Sequence, residues 1–404
     1  MRPGPGPDSA REGRFILLLG ALVAFGPLAV DLYLPALPAI AAGLGSGPEA
    51  VQATVTVFLA GFSLGMLGYG PISDRYGRRP VMLGGIALFV LASLGCMLAT
   101  DVGGLVAARF VQALGGGAAS VLARTVVRDV YASTEAIRKL SLMAMVTAIA
   151  PLMAPLVGSA ALAVGGWRAT FALLVGWGAL CLYGVWAHLP ETLAPERRGQ
   201  MSIGTAFGAY GRLLLDPVAV GLVLAGGMSF AAMFAYITGG PFYFITLHGF
   251  SPTQYSLIFA ANAVGIFVAN YTNSRLVRRL RPPRMIGVGC ALGLVAALAL
   301  PLVVGRSLPA ALVALFLVVS VTGLLGANCV GLLMQAYPGN AGAAAALFGA
   351  SQFGFGMLAS GMVGQLHDGT GRPMAGVIAV AALLSAGGFL LYRSCRAPDV
   401  PRDT

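Results

Sequence analysis

Two apolar runs, Val51–Ile72 (VQATVTVFLAGFSLGMLGYGPI) and Pro80–Ala99 (PVMLGGIALFVLASLGCMLA), are joined by Ser73-Asp74-Arg75-Tyr76-Gly77-Arg78-Arg79. A membrane-spanning helix needs about 20 mainly apolar residues, and each run supplies them. The joint is short. Gly70 and Gly77 allow a tight turn, because glycine carries no Cβ. Its three arginines mark the loop as one that stays on the inner side. Asp74 is expected to face a helix N-terminus, where free backbone N–H groups favour an anion. The pair reads as a transmembrane helical hairpin, and the rest of the chain repeats the pattern.

Outward from this hairpin the first six expected spans are Phe15–Ala42, Val51–Ile72, Pro80–Ala99, Gly104–Val126, Leu140–Ala163 and Arg168–His188. The second six are Pro217–Ile237, Thr253–Thr272, Arg284–Val304, Pro309–Gln335, Gly342–Leu366 and Met374–Tyr392. The long connection Leu189–Asp216 separates them, and its Ile203–Leu215 part is expected to lie along the membrane surface. The expected organisation is a tail (1–14), a six-helix bundle (15–188), a linker (189–216), a second six-helix bundle (217–392) and a tail (393–404). The fold class is all-α membrane, twelve transmembrane helices in two pseudo-repeat bundles. Arg11 and Arg14 before an apolar stretch, with Ala39-Ile40-Ala41 after it, look like a cleavable leader. A leader's apolar core is only about 7–15 residues, so Phe15–Ala42 is read as a span.

Composition agrees. The 404 residues are 58% hydrophobic and 10% charged, against roughly 25% charged in soluble domains. The net charge of +11 is spread between apolar runs, so it marks topology and not a nucleic-acid surface. With the N-terminus inside, 21 of the 25 Lys and Arg fall in inside segments. Arg168, Arg306 and Arg372 fall outside, and Arg109 lies within a span. Both termini are therefore expected to be cytoplasmic. The five cysteines form no C-x-x-C pair, and neither a disulfide framework nor a metal site is expected. An internal match supports the six-plus-six division: Ser73–Arg79 precedes Asn273–Arg279 by 200 residues, with three arginines aligned. Repeats are a known transporter architecture.

Of the 14 acidic residues only Asp31 falls deep in a span. A charge at a helix centre costs roughly 2.5–3.5 kcal/mol on insertion scales and marks function by default. Asp31 lies about 25 Å from the inner interface and Arg109 about 9 Å from the outer one, at about 1.5 Å per helical residue. Their depths overlap. The expectation is that Asp31 binds a coupling proton and Arg109 tunes it, because a carboxylate under the opposing pressures of burial and a guanidinium can change protonation as water access switches sides. The bland reading is a structural pair, or an Asp31 that caps unwound backbone beside Pro35 and Pro38. Polar or aromatic residues within spans, Tyr33, Gln112, Tyr236, Asn262, Asn328 and Gln352, are candidates for a substrate cavity. Each has the alternative of bonding neighbouring helices.

The segment Gly70–Arg79 resembles the G-x-x-x-D-R-x-G-R-R loop signature of the major facilitator superfamily. Asp31–Pro38 resembles the helix 1 motif of its Bcr/CflA-type drug-resistance subfamily. Arg109-Phe110-Val111-Gln112 with Gly115-Gly116-Gly117 resembles the helix 4 motif, although Ala113 stands where Gly is usual. Ala150–Gly158, with Pro151, Pro155 and Gly158, resembles the helix 5 exchanger motif, although Ala154 replaces the usual Gly and Ser159 follows. Leu189-Pro190-Glu191-Thr192, Phe234–Ile237 and Ala341–Phe353 are also similar to the subfamily. The resemblance implies a rocker-switch carrier in the bacterial inner membrane that exports drugs or small metabolites in exchange for protons, and a lone cavity acid suits cationic or neutral substrates better than anions. It implies a gating role for Gly70, Asp74, Arg75, Gly77, Arg78 and Arg79, with Asp74 a latch of the outward-facing state. Ser274 opposite Asp74 makes that role one-sided. No cofactor beyond the proton is expected, and a monomer suffices.

Three other readings were weighed. A primary pump needs a phosphate loop ending in G-K-[ST], and Lys139, the sole lysine, lies between Arg138 and Leu140. A membrane hydrolase has only Gly61-Phe62-Ser63-Leu64-Gly65 in its favour, and that motif needs a strand–turn–helix elbow. Uptake symport stays open within transport, because Asp31 serves either direction.

Overall fold

The computed structural model describes residues 9–194, 196 and 203–395. Parts of the expected tails and linker, with Arg2, Arg197, Arg198, Arg396 and Arg402, lie outside the described residues. The described residues are almost all helical. In chain order the helices are α1 (Ser9–Val23), α2 (Phe25–Asp31), α3 (Leu37–Gly43), α4 (Pro48–Tyr76), α5 (Arg78–Leu98), α6 (Val102–Val130) and α7 (Ser133–His188). Then follow α8 (Ile203–Leu214), α9 (Pro217–Pro241), α10 (Pro252–Leu280), α11 (Pro282–Val303), α12 (Leu308–Ala336), α13 (Ala341–Gln365) and α14 (Arg372–Cys395).

Among the described residues eleven stretches are long and apolar enough to cross a membrane. One of them, Arg138–His188, has 51 residues and would measure about 76 Å at about 1.5 Å per residue, over twice a hydrocarbon core of about 30 Å. It is broken at Gly165 and Gly166, where φ reaches 68° at Gly166. A left-handed φ is open to glycine at little cost. The stretch is two spans, which makes twelve, and the break falls between the two expected runs. The outward faces stay apolar: Leu17, Leu91, Val164 and Val295 are exposed, as lipid-facing residues must be. α8 occupies the segment expected to lie on the membrane surface.

Helices overrun their apolar runs. α4 starts at Pro48 and ends at Tyr76, and α10 extends through Arg279 to Leu280. Polar helix ends are tolerated in the headgroup layer, so hydropathy understates length. α9 is followed directly by a π-helical turn, Phe242–Leu247.

Helix ends correct the internal repeat. α4 and α10 both have 29 residues, and Pro48 and Tyr76 correspond to Pro252 and Leu280, a displacement of 204 residues. The arginine match at 200 is therefore one helical turn out of register. Arg275, Arg278 and Arg279 are still inside α10, whereas Arg78 and Arg79 follow the turn. The residue equivalent to Gly77 (φ 99°, ψ 154°) is Arg281 (φ 56°, ψ 142°). That backbone region is almost exclusive to glycine and costs a side-chain-bearing residue about 1–3 kcal/mol. Arg281→Gly is expected to stabilise the protein by about 1 kcal/mol, read from thermal unfolding in detergent. No change or a loss would mean that contacts of the Arg281 side chain outweigh the strain.

By contacts the chain forms two compact units. The first comprises Met1–Ile203, Ile237–Ala263 and Gly364–Gly369. In it Gln52 Nε2 donates to the Thr238 carbonyl (3.3 Å), Ser256 Oγ to the Pro155 carbonyl (2.9 Å), and Phe242 packs edge-on against His367. The second comprises Gly204–Tyr236, Val264–Val363 and Thr370–Thr404. Its interior is built by α11, α12 and α14, with Gly221 of α9 lying against the backbone of Gly388 and Tyr392.

Candidate functional site

The first span is interrupted where Asp31 sits. Pro35 and Pro38 have no N–H to donate to the carbonyls of residues 31 and 34, and each ring would clash with that turn. α2 therefore ends at Asp31, a 3₁₀ turn covers Leu34–Ala36, and α3 resumes at Leu37. Asp31 is buried. Among the described residues its carboxylate has no hydrogen bond and no ion pair.

Arg109 of α6 is fully buried at the same break but does not pair with Asp31. Its Nη1 donates to the Ala29 carbonyl at 3.0 Å and to Gln112 Oε1. Ala29 is in the last turn of α2, where carbonyls lack helical partners. Its position is two residues before Asp31, about 200° away around the helix, so an arginine that reaches Ala29 looks at another face. The guanidinium carbon lies 4.2 Å from the Tyr33 ring centroid, 4.3 Å from that of Phe58 and 6.0 Å from that of Phe171. Such desolvated cation–π contacts contribute about 2 kcal/mol. Gln112 Nε2 passes the chain on to Ser93 Oγ (2.7 Å), which donates to the Phe89 carbonyl (2.7 Å). Tyr33 hydroxyl and Thr54 Oγ1 are 3.1 Å apart, and Thr54 donates to the Val51 carbonyl. Arg109 thus ties the broken span to α4, α5 and α6.

Glycines bring the backbones together here. A Cβ on Gly158 of α7 would collide with the Leu32 carbonyl oxygen and lie 2.8 Å from its carbon. The exchanger-like motif therefore presses α7 onto the unwound turn beside Asp31. Pro151 and Pro155 precede Gly158 on that helix, and the Pro155 carbonyl accepts from Ser256. A Cβ on Gly115 would lie 2.5 Å from the Phe89 nitrogen of α5. One on Gly117 would lie 3.3 Å from Gly65 of α4. Gly61 and Ser63, read also as a hydrolase motif, lie mid-helix in α4, and a Cβ on Gly61 would be 2.7 Å from the Phe110 carbonyl. There is no nucleophile elbow. The small residues serve close helix approach.

The α4–α5 turn is a charge cluster. Gly77 makes the turn, and its N–H returns to the Ser73 carbonyl. Arg78 is buried, 2.6 Å from Asp74 Oδ1, 3.0 Å from Asp129 Oδ2 and 2.6 Å from Ser73 Oγ. Asp74 was expected at a helix N-terminus. Glu191 takes that place: it accepts from the backbone N–H of Arg78 (2.9 Å) and Arg79 (3.2 Å) at the start of α5. Asp74 is one turn too early on α4 and finds Arg78 at i+4. Arg79 donates to the Trp186 carbonyl, and Arg75 lies over the Tyr76 ring. Gly70 has open space around it. Asp129 and Glu191 lie 51 and 113 positions from Arg78, too far along the chain for the sequence to pair them with it. The Leu189–Thr192 motif was the available signal for Glu191. Arg78→Met is expected to destabilise by about 2–3 kcal/mol, below the 3–5 kcal/mol of a fully buried broken pair, because Asp74 and Asp129 keep some solvent access. Thermal unfolding with a thiol-reactive dye checks this, since Cys96, Cys181, Cys290 and Cys329 are free and buried.

The cavity candidates separate. Tyr33 and Gln112 belong to the Arg109 cluster. Asn328 Nδ2 bonds Asn273 Oδ1 (2.8 Å) and the Leu324 carbonyl (2.8 Å), a helix-pairing role in the second unit. Tyr236 is buried in the second unit and Gln352 is half-buried there, near Gly326. Asn262 is buried in the first unit, and its Nδ2 has no hydrogen-bond partner among the described residues.

Twelve apolar spans, a proline-broken first span with the one buried acid among the described residues, and glycine-fitted helix crossings are the architecture of a secondary membrane transporter. Residues 17–361 match the Major Facilitator Superfamily, and the chain belongs to that family. It is 33% identical over 376 residues to the uncharacterized MFS-type transporter YdgK of Bacillus subtilis, covering 92% of this chain and 93% of that one. It is 29% identical over 383 residues to a bicyclomycin resistance protein homolog of Haemophilus influenzae, covering 94% and 96%. A solved D-xylose–proton symporter is similar in fold, with a TM-score of 0.72 over 93% of this chain and 97% of that one, at 18% identity.

Proposed function

We propose that this transporter is a proton-coupled antiporter exporting drugs or small metabolites across the bacterial inner membrane by alternating access, working as a monomer with both termini in the cytoplasm. The observation that carries the reading is Asp31, a buried carboxylate without a protein cation, set in an unwound turn that Gly158 presses from α7. Holding an uncompensated charge there costs several kcal/mol. A proton, or a cationic substrate, removes that cost. Two ligands that relieve the same carboxylate compete for it, and competition is the coupling an exchanger needs. Neutral substrates are accommodated if their binding favours the conformation that releases the proton. The likeness to a bicyclomycin resistance protein homolog supports export and a drug-like substrate class.

In this reading Arg109 acts on Asp31 through the backbone of the first span, by holding the Ala29 carbonyl and the Tyr33 ring. The Asp74–Arg78–Asp129 cluster gates the α4–α5 end. The test is proton movement in energised inverted vesicles over a compound panel, wild type beside Asp31→Asn. Substrate-induced collapse of the pH gradient in wild type only is the expected result. Equal collapse in Asp31→Asn would place the coupling elsewhere. Proton uptake together with substrate would reverse the direction.

A further inference from the structure

The two units differ in their acidic residues. In the first, Arg78 is bound by Asp74 and Asp129, and Lys139 by Glu12 and Glu135. In the second, Asp216 is the only acidic residue among the described ones. Asp216 is already engaged: it accepts the Val218 N–H at 2.8 Å, and burial together with the Asp216 carboxylate holds the Tyr337 phenol above its ordinary range. Yet this unit carries Arg275 and Arg279 one turn apart at the end of α10, and Arg284 at the start of α11. None of the three has a carboxylate within 4.0 Å among the described residues. Like charges at i and i+4 repel and weaken a helix. Here no carboxylate among the described residues offsets that.

Arg275 and Arg279 also shape a space. With Ser274 and Leu276 they line a cleft of about 660 Å³. Arg275 is aimed, because its Nη2 donates to the Tyr271 hydroxyl (2.8 Å) while the guanidinium lies 5.2 Å from the Tyr271 ring centroid. Leu276 gives the cleft an apolar side, and the two guanidinium forks give it a phosphate-binding side. The cleft lies at the end of a spanning helix, where headgroups are.

We propose that this cleft binds the phosphate group of an anionic phospholipid, and that the bilayer supplies the counter-charge that the described residues of the second unit do not. Basic pockets at helix ends on the inner leaflet suit such headgroups. The inference concerns α10 alone and stands whether or not the carrier exchanges protons.

The experiment is native mass spectrometry, with thermal unfolding, of the full chain in phosphatidylcholine, in phosphatidylglycerol, and in phosphatidylcholine with inorganic phosphate. Wild type should retain phosphatidylglycerol selectively and unfold later in its presence. Arg275→Gln/Arg279→Gln should lower that selectivity about 30-fold, at roughly fivefold per arginine near a membrane surface. Arg306→Gln, at another loop, should leave it unchanged. Equal retention of both lipids by wild type would overturn the proposal without any variant. So would undiminished selectivity in the double variant. Protection by inorganic phosphate equal to that by phosphatidylglycerol would overturn the lipid as the source.

Discussion

Gly158→Ala is expected to cost about 3 kcal/mol of stability, at the upper end for overpacking, and to abolish transport. The added Cβ would meet the Leu32 carbonyl oxygen, its carbon at 2.8 Å and its Cα at 3.3 Å. All three are backbone. No rotamer change relieves the clash, so α7 or the unwound turn must move. That turn positions Asp31, and a shift of α7 acts on it directly. Gly176→Ala, in the span that follows the break at Gly165–Gly166, is the control. A Cβ there meets nothing within 4 Å, and the change should be neutral or stabilising by up to about 1 kcal/mol. Thermal unfolding and vesicle transport of the two variants side by side decide the matter. If Gly158→Ala unfolded and transported like Gly176→Ala, the close approach of α7 to the first span would be wrong.

Much of this fold is legible because the bilayer imposes simple demands. Run length and Arg placement locate the spans, and the gap between Ala163 and Arg168 anticipates the break at Gly165–Gly166. Proline spacing in Leu34–Pro38 anticipates the unwound turn. What escapes is azimuth. Depth along the helix axes puts Asp31 and Arg109 at overlapping levels, but depth says nothing of which face each presents, and Arg109 meets Ala29 and an aromatic box instead. Long-range charge partners escape for a similar reason. Nothing local to Arg78 signals Asp129, which reaches it only after a third helix returns. The arginine match at 200 residues misleads because loop charges can repeat without structural register. Helix ends, set by Gly77 and Arg281, carry the true displacement.

Arg109 gives the other large effect, and the informative replacement is methionine. Arg109→Met leaves the Ala29 carbonyl and Gln112 Oε1 without that donor, at about 1–3 kcal/mol each. It also removes a charge whose desolvation cost is several kcal/mol. The flexible thioether fills much of the space between Tyr33, Phe58 and Phe171 and packs well against rings. The terms nearly cancel, so stability should stay within about 2 kcal/mol of wild type. Transport should nevertheless be lost, because the first span is no longer clamped at Ala29 and the turn carrying Asp31 loses its reference to α6. Arg109→Lys makes the contrast. It keeps the charge but not the planar fork, and a compact ammonium cannot lie flat on two rings while donating to Ala29 and Gln112. Lysine should therefore be the less stable of the two variants and equally inactive. Unfolding by thiol-reactive dye and proton-coupled transport, measured on both, separate the roles. A methionine variant that folds and transports would reduce Arg109 to a packing element. One that folds and fails shows a buried cation kept for what the carrier does, at no net gain to its stability.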